Sequence, residues 1–339
     1  MNKSRMLSIL ITVLFVFGFT QQSIAKERQG TVTIQVNLIA PADAKNVRLW
    51  IPYPMSDRNQ DITGVSVSGN YAGMGVYKES KNGVSSLYAE WKEPVKNRTL
   101  TYTFTVKRKE VITRDFPKTE APLPMEEMKQ YLDNSDLGYA EKEIKEIAAE
   151  ITKGKNTVLD KSRAVYDWVV DNMRRDPNVK GCGNSDVERL LSEKAGKCAD
   201  IHSVYVALSR ASGVPAREIY GLRMYNNKEG DITKFQHCWV EFYQPGYGWV
   251  IVDPADVLKF KLEKNPTSDE LENKRKYFFG AVDESRIALN SGKNIRLNPP
   301  QNGQPLLYFM YPYAEADGKP LNEDLYGFNI GYKIMFKEQ

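Results

Sequence analysis

From Thr31 to Ala40 the chain alternates: Val32, Ile34, Val36 and Leu38 are separated by Thr33, Gln35 and Asn37. A period of two predicts a strand with one buried face. The stretches VRLWIPYP (47–54), VSSLYAEW (84–91) and LTYTFTVKRKEV (100–111) repeat that character between turns of Gly, Asn, Asp and Pro. Residues 26–115 therefore predict a small antiparallel β-sandwich domain. The proline-rich FPKTEAPLP (116–124) ends it as a linker.

After the linker the period lengthens. Ile144, Ile147, Ala148 and Ile151, then Ala164, Val165, Trp168, Val169 and Met173, follow helical spacing and predict two helices. A short helix over VERLLSEKAG follows, with Ser185 and Asp186 as equally good caps. In the next helix Ile201, Val204, Tyr205, Leu208 and Ala211 fall at i, i+3, i+4, i+7 and i+10, Gly213 and Pro215 close it, and Cys198 stands at its start. Two strands come next: KFQHCWVEFY, a turn at QPGYG, and WVIVDPAD. Strands followed by helices and a further hairpin give an α+β fold.

Along the first of these strands Phe235, His237, Trp239, Glu241 and Tyr243 share a face. A five-residue loop pairs Tyr243 with Trp249 and Trp239 with Asp253. A three-residue loop pairs Tyr243 with Tyr247 and His237 with Asp253. Both registers keep His237 and Asp253 on one face, roughly 5 to 8 Å apart at the backbone.

The first 25 residues change the compartment. Lys3 and Arg5 precede an apolar run from Met6 to Phe19 and Ser-Ile-Ala at 23–25, the layout of a cleavable secretory signal ending after Ala25. The mature chain is then expected in the periplasm or secreted, with no membrane span. The formal charge of +4 drops by two with the leader, and acidic and basic residues are interspersed, so a nucleic-acid partner is not expected. The chain has three cysteines and two histidines. In an oxidising compartment a thiol kept free is a candidate reactive group.

A thiol at a helix start tends toward the thiolate, because first-turn N–H groups have no intrahelical partner and the helix dipole adds positive potential. With Cys198 as nucleophile, His237 as base and Asp253 as orienting acid, the set supports acyl transfer from an amide through a thioester. The segments AGKCADIHSVYVALSRASGVPAREIYG and FQHCWVEFYQPGYGWVIVDPA resemble the nucleophile segment and the histidine and aspartate segment of the transglutaminase-like superfamily. The resemblance extends over roughly residues 140–260 and implies a papain-like core with the cysteine helix packed on an antiparallel sheet, inside a domain over residues 125–339 that has a β-rich C-terminal extension. It implies the same three roles for Cys198, His237 and Asp253, and an amide substrate in a peptide, protein or cell-wall polymer. Neither a cofactor nor a metal is expected. Cys198 and His202 share a helix face, but no paired CxxC spacing completes a zinc set, and His202 reads as structural. The alternative function is a non-catalytic binding or assembly module on the same fold. Cys182 and Cys238 are read either as a disulfide, keeping Cys198 free, or as a loop thiol and a buried one.

Overall fold

The computed structural model describes residues 25–117, 119–134 and 141–339. The leader expected over residues 1–25 lies, through residue 24, outside the described residues.

The alternating segment forms the strand Glu27–Leu38, with Val32, Ile34, Val36 and Leu38 buried. It pairs antiparallel with Arg98–Lys109, from Glu27 opposite Lys109 to Leu38 opposite Arg98. A second sheet pairs Val47–Pro52 with Ser85–Trp91. Leu49, Ile51, Leu87 and Ala89 from that sheet join Ile34, Leu100 and Phe104 in one hydrophobic core, the arrangement of a sandwich whose inner faces interdigitate. Two further strands, Gln60–Gly69 and Gly73–Lys78, form edges and are mostly exposed, so they leave no alternation to read.

The remaining strands of the sandwich come from later in the chain, one of them from between two strands of the second half. Tyr332–Glu338 lies beside Glu27–Leu38 with Glu338 opposite Gly30, and Glu229–Asp231 covers its outer edge. Tyr313–Ala316 pairs with Val47–Pro52 and carries Lys319–Pro320. Among the described residues each sheet thus has five strands. The strands Tyr313–Ala316, Lys319–Pro320 and Tyr332–Glu338 serve the sheets of the first strands, whose edge N–H and C=O groups need partners.

The second half builds a four-stranded antiparallel sheet in the order Gly248–Val252, Gln236–Gln244, Ala216–Arg223, Arg286–Ser291. The helix Cys198–Ala211 packs on it and is buried from Cys198 through Ser209. A helix apolar around most of its circumference belongs at the centre of a domain, and Glu141–Ile151, Val158–Asn172 and Val187–Glu193 enclose this one. Of the two candidate caps, Asp186 takes the role: its Oδ1 accepts the Arg189 N–H at 3.2 Å. No helix among the described residues is long and apolar enough to cross a membrane.

Candidate active site

The nucleophile helix starts where two glycines make room for a carboxylate. Asp200, fully buried in the first turn, accepts the Lys197 N–H at 3.0 Å and the Ser185 N–H at 2.9 Å. A Cβ on Gly183, whose φ is +100°, would stand 2.0 Å from the Asp200 carboxylate, and one on Gly196 would stand 2.4 Å from its Cβ. The two glycines let the Cys182 loop and the helix start close around that carboxylate. The Cys182 carbonyl accepts the Ala199 N–H at 2.9 Å, which ties loop to helix.

The hairpin takes the register of the five-residue loop: Tyr243 faces Trp249 and Val240 faces Val252, which sets Trp239 opposite Asp253 and His237 on the diagonal. Asp253 itself is not a strand residue. It caps the helix Pro254–Lys264, with Oδ1 accepting the Asp256 N–H at 2.9 Å. Pro254, with no N–H to continue the ladder and a backbone angle suited to a first helical turn, ends the strand one residue early.

The structure brings Cys198, His237 and Asp253 together. His237 Nε2 lies 2.9 Å from Asp253 Oδ2, so Nδ1 is the ring nitrogen left for the thiol. On the other side His202 Nε2 lies 3.1 Å from Asp253 Oδ1, and His202 Nδ1 lies 3.2 Å from the Cys238 sulfur. Cys182, Cys238 and His237 are the groups that act on the Cys198 sulfur. The contacts run from Cys238 through His202 and Asp253 to His237, and both ends of this chain act on Cys198, around which the ring closes. Cys198 is 3 % exposed and His237 5 %, so solvent reaches the pair only by a narrow approach.

All three cysteines are free thiols, and the Cys182–Cys238 bridge is not formed. The two flank Cys198 and have other partners: Cys182 donates to the Gln236 carbonyl at 3.4 Å, and Cys238 meets His202. Each has one proton and two acceptors, the second being the Cys198 sulfur. Hydrogen bonds from Cys182 and Cys238, with the bond and charge of His237, outweigh burial and hold the Cys198 thiol well below its ordinary value. The bond to Cys198 and burial push Cys182 well up, and burial with the same bond does so for Cys238. Tyr308 donates to the Gly183 carbonyl at 2.7 Å, and Tyr311 lies against Cys182, so the aromatic C-terminal segment packs over this loop.

Sequence reasoning missed the cationic support behind Asp253. Arg286, fully buried, bonds Asp253 Oδ2, Asp256 Oδ2 at 2.6 Å and Asp283 Oδ2 at 3.1 Å. Arg223 donates to both Asp256 oxygens at 2.9 and 2.8 Å, while Arg217 pairs with Glu241 at 2.7 Å. Burial opposes ionisation of Asp253 and Asp256, but Arg286 and His237 hold the first, and Arg223 and Arg286 the second, below the usual carboxylate range. Burial and Arg223 disfavour a charged His237, yet Asp256 and Asp253 outweigh them and raise its pKa above 6.5. Three carboxylates face two guanidiniums here, and the excess negative charge favours a protonated His237. Donor atoms of His237, Asp253 and Asp256 gather within 4.8 Å, as a cation site would require. The two arginines already supply positive charge to those carboxylates.

The two shifts define a pH window. A thiolate exists above the lowered pKa of Cys198, and an imidazolium exists below the raised pKa of His237, so the ion pair spans the interval between them. Alkylation of Cys198 by iodoacetamide, mapped by mass spectrometry, is expected to keep its rate from about pH 8.5 down past neutrality, where an ordinary thiol loses it. A profile that follows an ordinary thiol would contradict the pair.

The chain belongs to the transglutaminase-like superfamily, whose family profile matches residues 145–254. An uncharacterized protein of Haemophilus influenzae is 32 % identical over 314 residues, covering 84 % of this chain and 85 % of that protein. A protein-glutamine gamma-glutamyltransferase of Pseudomonas aeruginosa is 36 % identical over 84 residues, 23 % of this chain and 12 % of that one. Among solved structures, a candidate cysteine protease from Cytophaga hutchinsonii superposes with a TM-score of 0.54 at 17 % identity, over 93 % of this chain and 99 % of the other. It shares the fold.

Proposed function

We propose that the protein is an exported cysteine enzyme that transfers or hydrolyses acyl groups at amide bonds of a peptide, protein or cell-wall substrate. The observation that carries this reading is His237 held at 2.9 Å by an Asp253 anchored on Arg286, beside a thiol at a helix start. In the first half-reaction the Cys198 thiolate attacks the carbonyl carbon, and the oxyanion takes the Cys198 N–H, the Ala199 N–H being committed to Cys182. The His237 imidazolium gives its proton to the nitrogen, the C–N bond breaks, and a thioester remains. Water or a second amine then attacks the thioester while His237 takes its proton, and the Cys198 thiolate leaves. Asp253 keeps the ring in the tautomer that this requires.

Amine transfer is supported by the gamma-glutamyltransferase relative, though the shared stretch is short. Near-complete burial of Cys198 favours the second reading, a non-catalytic module on the same fold. One assay separates them. Incubation with a glutamine-containing peptide is expected to release ammonia, with incorporation of an added primary amine if transfer prevails and none if hydrolysis does. The Cys198→Ala protein should release none. Equal release by that variant, or none by the wild type across a panel of peptide and cell-wall amides, would overturn the enzymatic reading.

A further inference from the structure

Between the sandwich and the strand face that carries Trp239 lies a cavity of about 230 Å³, the liquid share of about eight waters. Its floor is apolar, made by Ile219, Trp239 and Ile251. Its wall holds Arg108, only 1 % exposed, whose Nε and Nη1 have no hydrogen-bond partner among the described residues. A buried cation without a hydrogen-bond partner is costly; Asp57, Glu241 and Asp283 attract it through space, but burial and Arg286 outweigh them, and no bond from them to Nε or Nη1 is formed. Gln60, opposite Arg108 in the sheet, spends its amide on the Met55 and Ala288 backbone. Glu241 is engaged by Arg217, and Asp57 accepts the Asn59 and Gln60 N–H groups. Two more groups lining the cavity are unpaired: Asn82 Nδ2, a donor, and Asn290 Oδ1, an acceptor. Asn290 cannot turn its amide over without losing the bond from Nδ2 to the Phe309 carbonyl.

We propose that this cavity binds the C-terminal residue of a peptide, with Arg108 taking its carboxylate, Asn290 its amide N–H and Asn82 the preceding carbonyl. The apolar floor argues for an organic carboxylate over inorganic phosphate, and the volume suits one acylated amino acid. Its floor residue Trp239 is two positions from His237 on the same strand, but the proposal does not rest on the acyl-transfer reading, because binding is measured without turnover.

The test is calorimetric titration of the full chain, and of its Cys198→Ala form, with N-acetylalanine and with its neutral amide. The acid is expected to give saturable heat in both proteins, and the amide, which keeps every group except the charge, to bind far more weakly. Arg108→Gln should weaken the acid by about 30-fold or more, the usual loss when one partner of a buried charged pair is removed. If Arg108→Gln does not fold, Asn82→Ala, in an irregular turn, takes its place and should weaken the acid several-fold. Absence of saturable heat from the wild type, equal affinity for acid and amide, or unchanged affinity in the folded variant would overturn the proposal.

Discussion

Arg286→Leu is expected to destabilise the protein by about 3–5 kcal/mol, the range for breaking a buried ion pair from one side. The replacement fills much of the space but leaves Asp253, Asp256 and Asp283 without the guanidinium that bonds all three. Arg223 still reaches Asp256, at 2.8 Å, but on Asp253 the one cation left is a protonated His237. Since whole domains are stable by only about 5–15 kcal/mol, the loss approaches unfolding. The pH dependence has a definite sign. Asp253 and Asp256 have depressed pKa values in the folded protein, so their pairing contributes fully above the ordinary value of 3.8 and is lost as pH falls through the folded values. The difference between wild type and variant, read from urea midpoints, should therefore be full at pH 7 and narrow below about pH 4. A deficit under 1 kcal/mol at pH 7 would show that the network adds little.

Asp253→Asn is expected to cut acylation of Cys198 by an activated ester by about 10³- to 10⁴-fold, the scale seen when the orienting carboxylate of a nucleophile–histidine pair becomes an amide. The isosteric amide has one accepting oxygen where the carboxylate served both histidines, and it lacks the charge that favours imidazolium. With that charge lost, the His237 pKa falls and the ion-pair window closes from its alkaline side. The variant should therefore lose most activity between neutral pH and the raised pKa of wild-type His237. Stopped-flow acylation across that range checks both magnitude and shape. A uniform loss at every pH would point to a positional effect of Asp253 without an electrostatic one.

The placement of the candidate site residues was legible in the sequence wherever it depended on parity and ends. Side-chain alternation put His237 and Asp253 on one face under either register, and apolar spacing put Cys198 at the start of a helix. Asp253 as a cap was half visible in DPAD, because Pro254 stops the ladder and Asp is a good cap, but the alternating strand before it made it look like a continuation. Arg286 was hidden. It lies 33 residues from Asp253 in sequence, and only the pairing of Arg286–Ser291 with Ala216–Arg223 carries it under the histidine strand. The three-thiol arrangement was hidden for a similar reason: whether Cys182 meets Cys238 or Cys198 depends on loop closure around Asp200, which no local pattern encodes. Gln60–Gly69 and Gly73–Lys78 went unread because exposed strands need not alternate.

The strand Tyr332–Glu338, zipped to Glu27–Leu38 with Glu338 opposite Gly30, sets the order in which this chain can fold. Contacts between residues some 300 positions apart carry a large closure entropy, and topologies dominated by such pairings fold slowly. The central sheet and helices can form first, while the first strand waits with one edge unpaired until Tyr332–Glu338 docks. For that interval it is an open template for other chains, and a truncation of the final strand would make the interval permanent. Aggregation resistance therefore rests on the C-terminal residues, far from any chemistry.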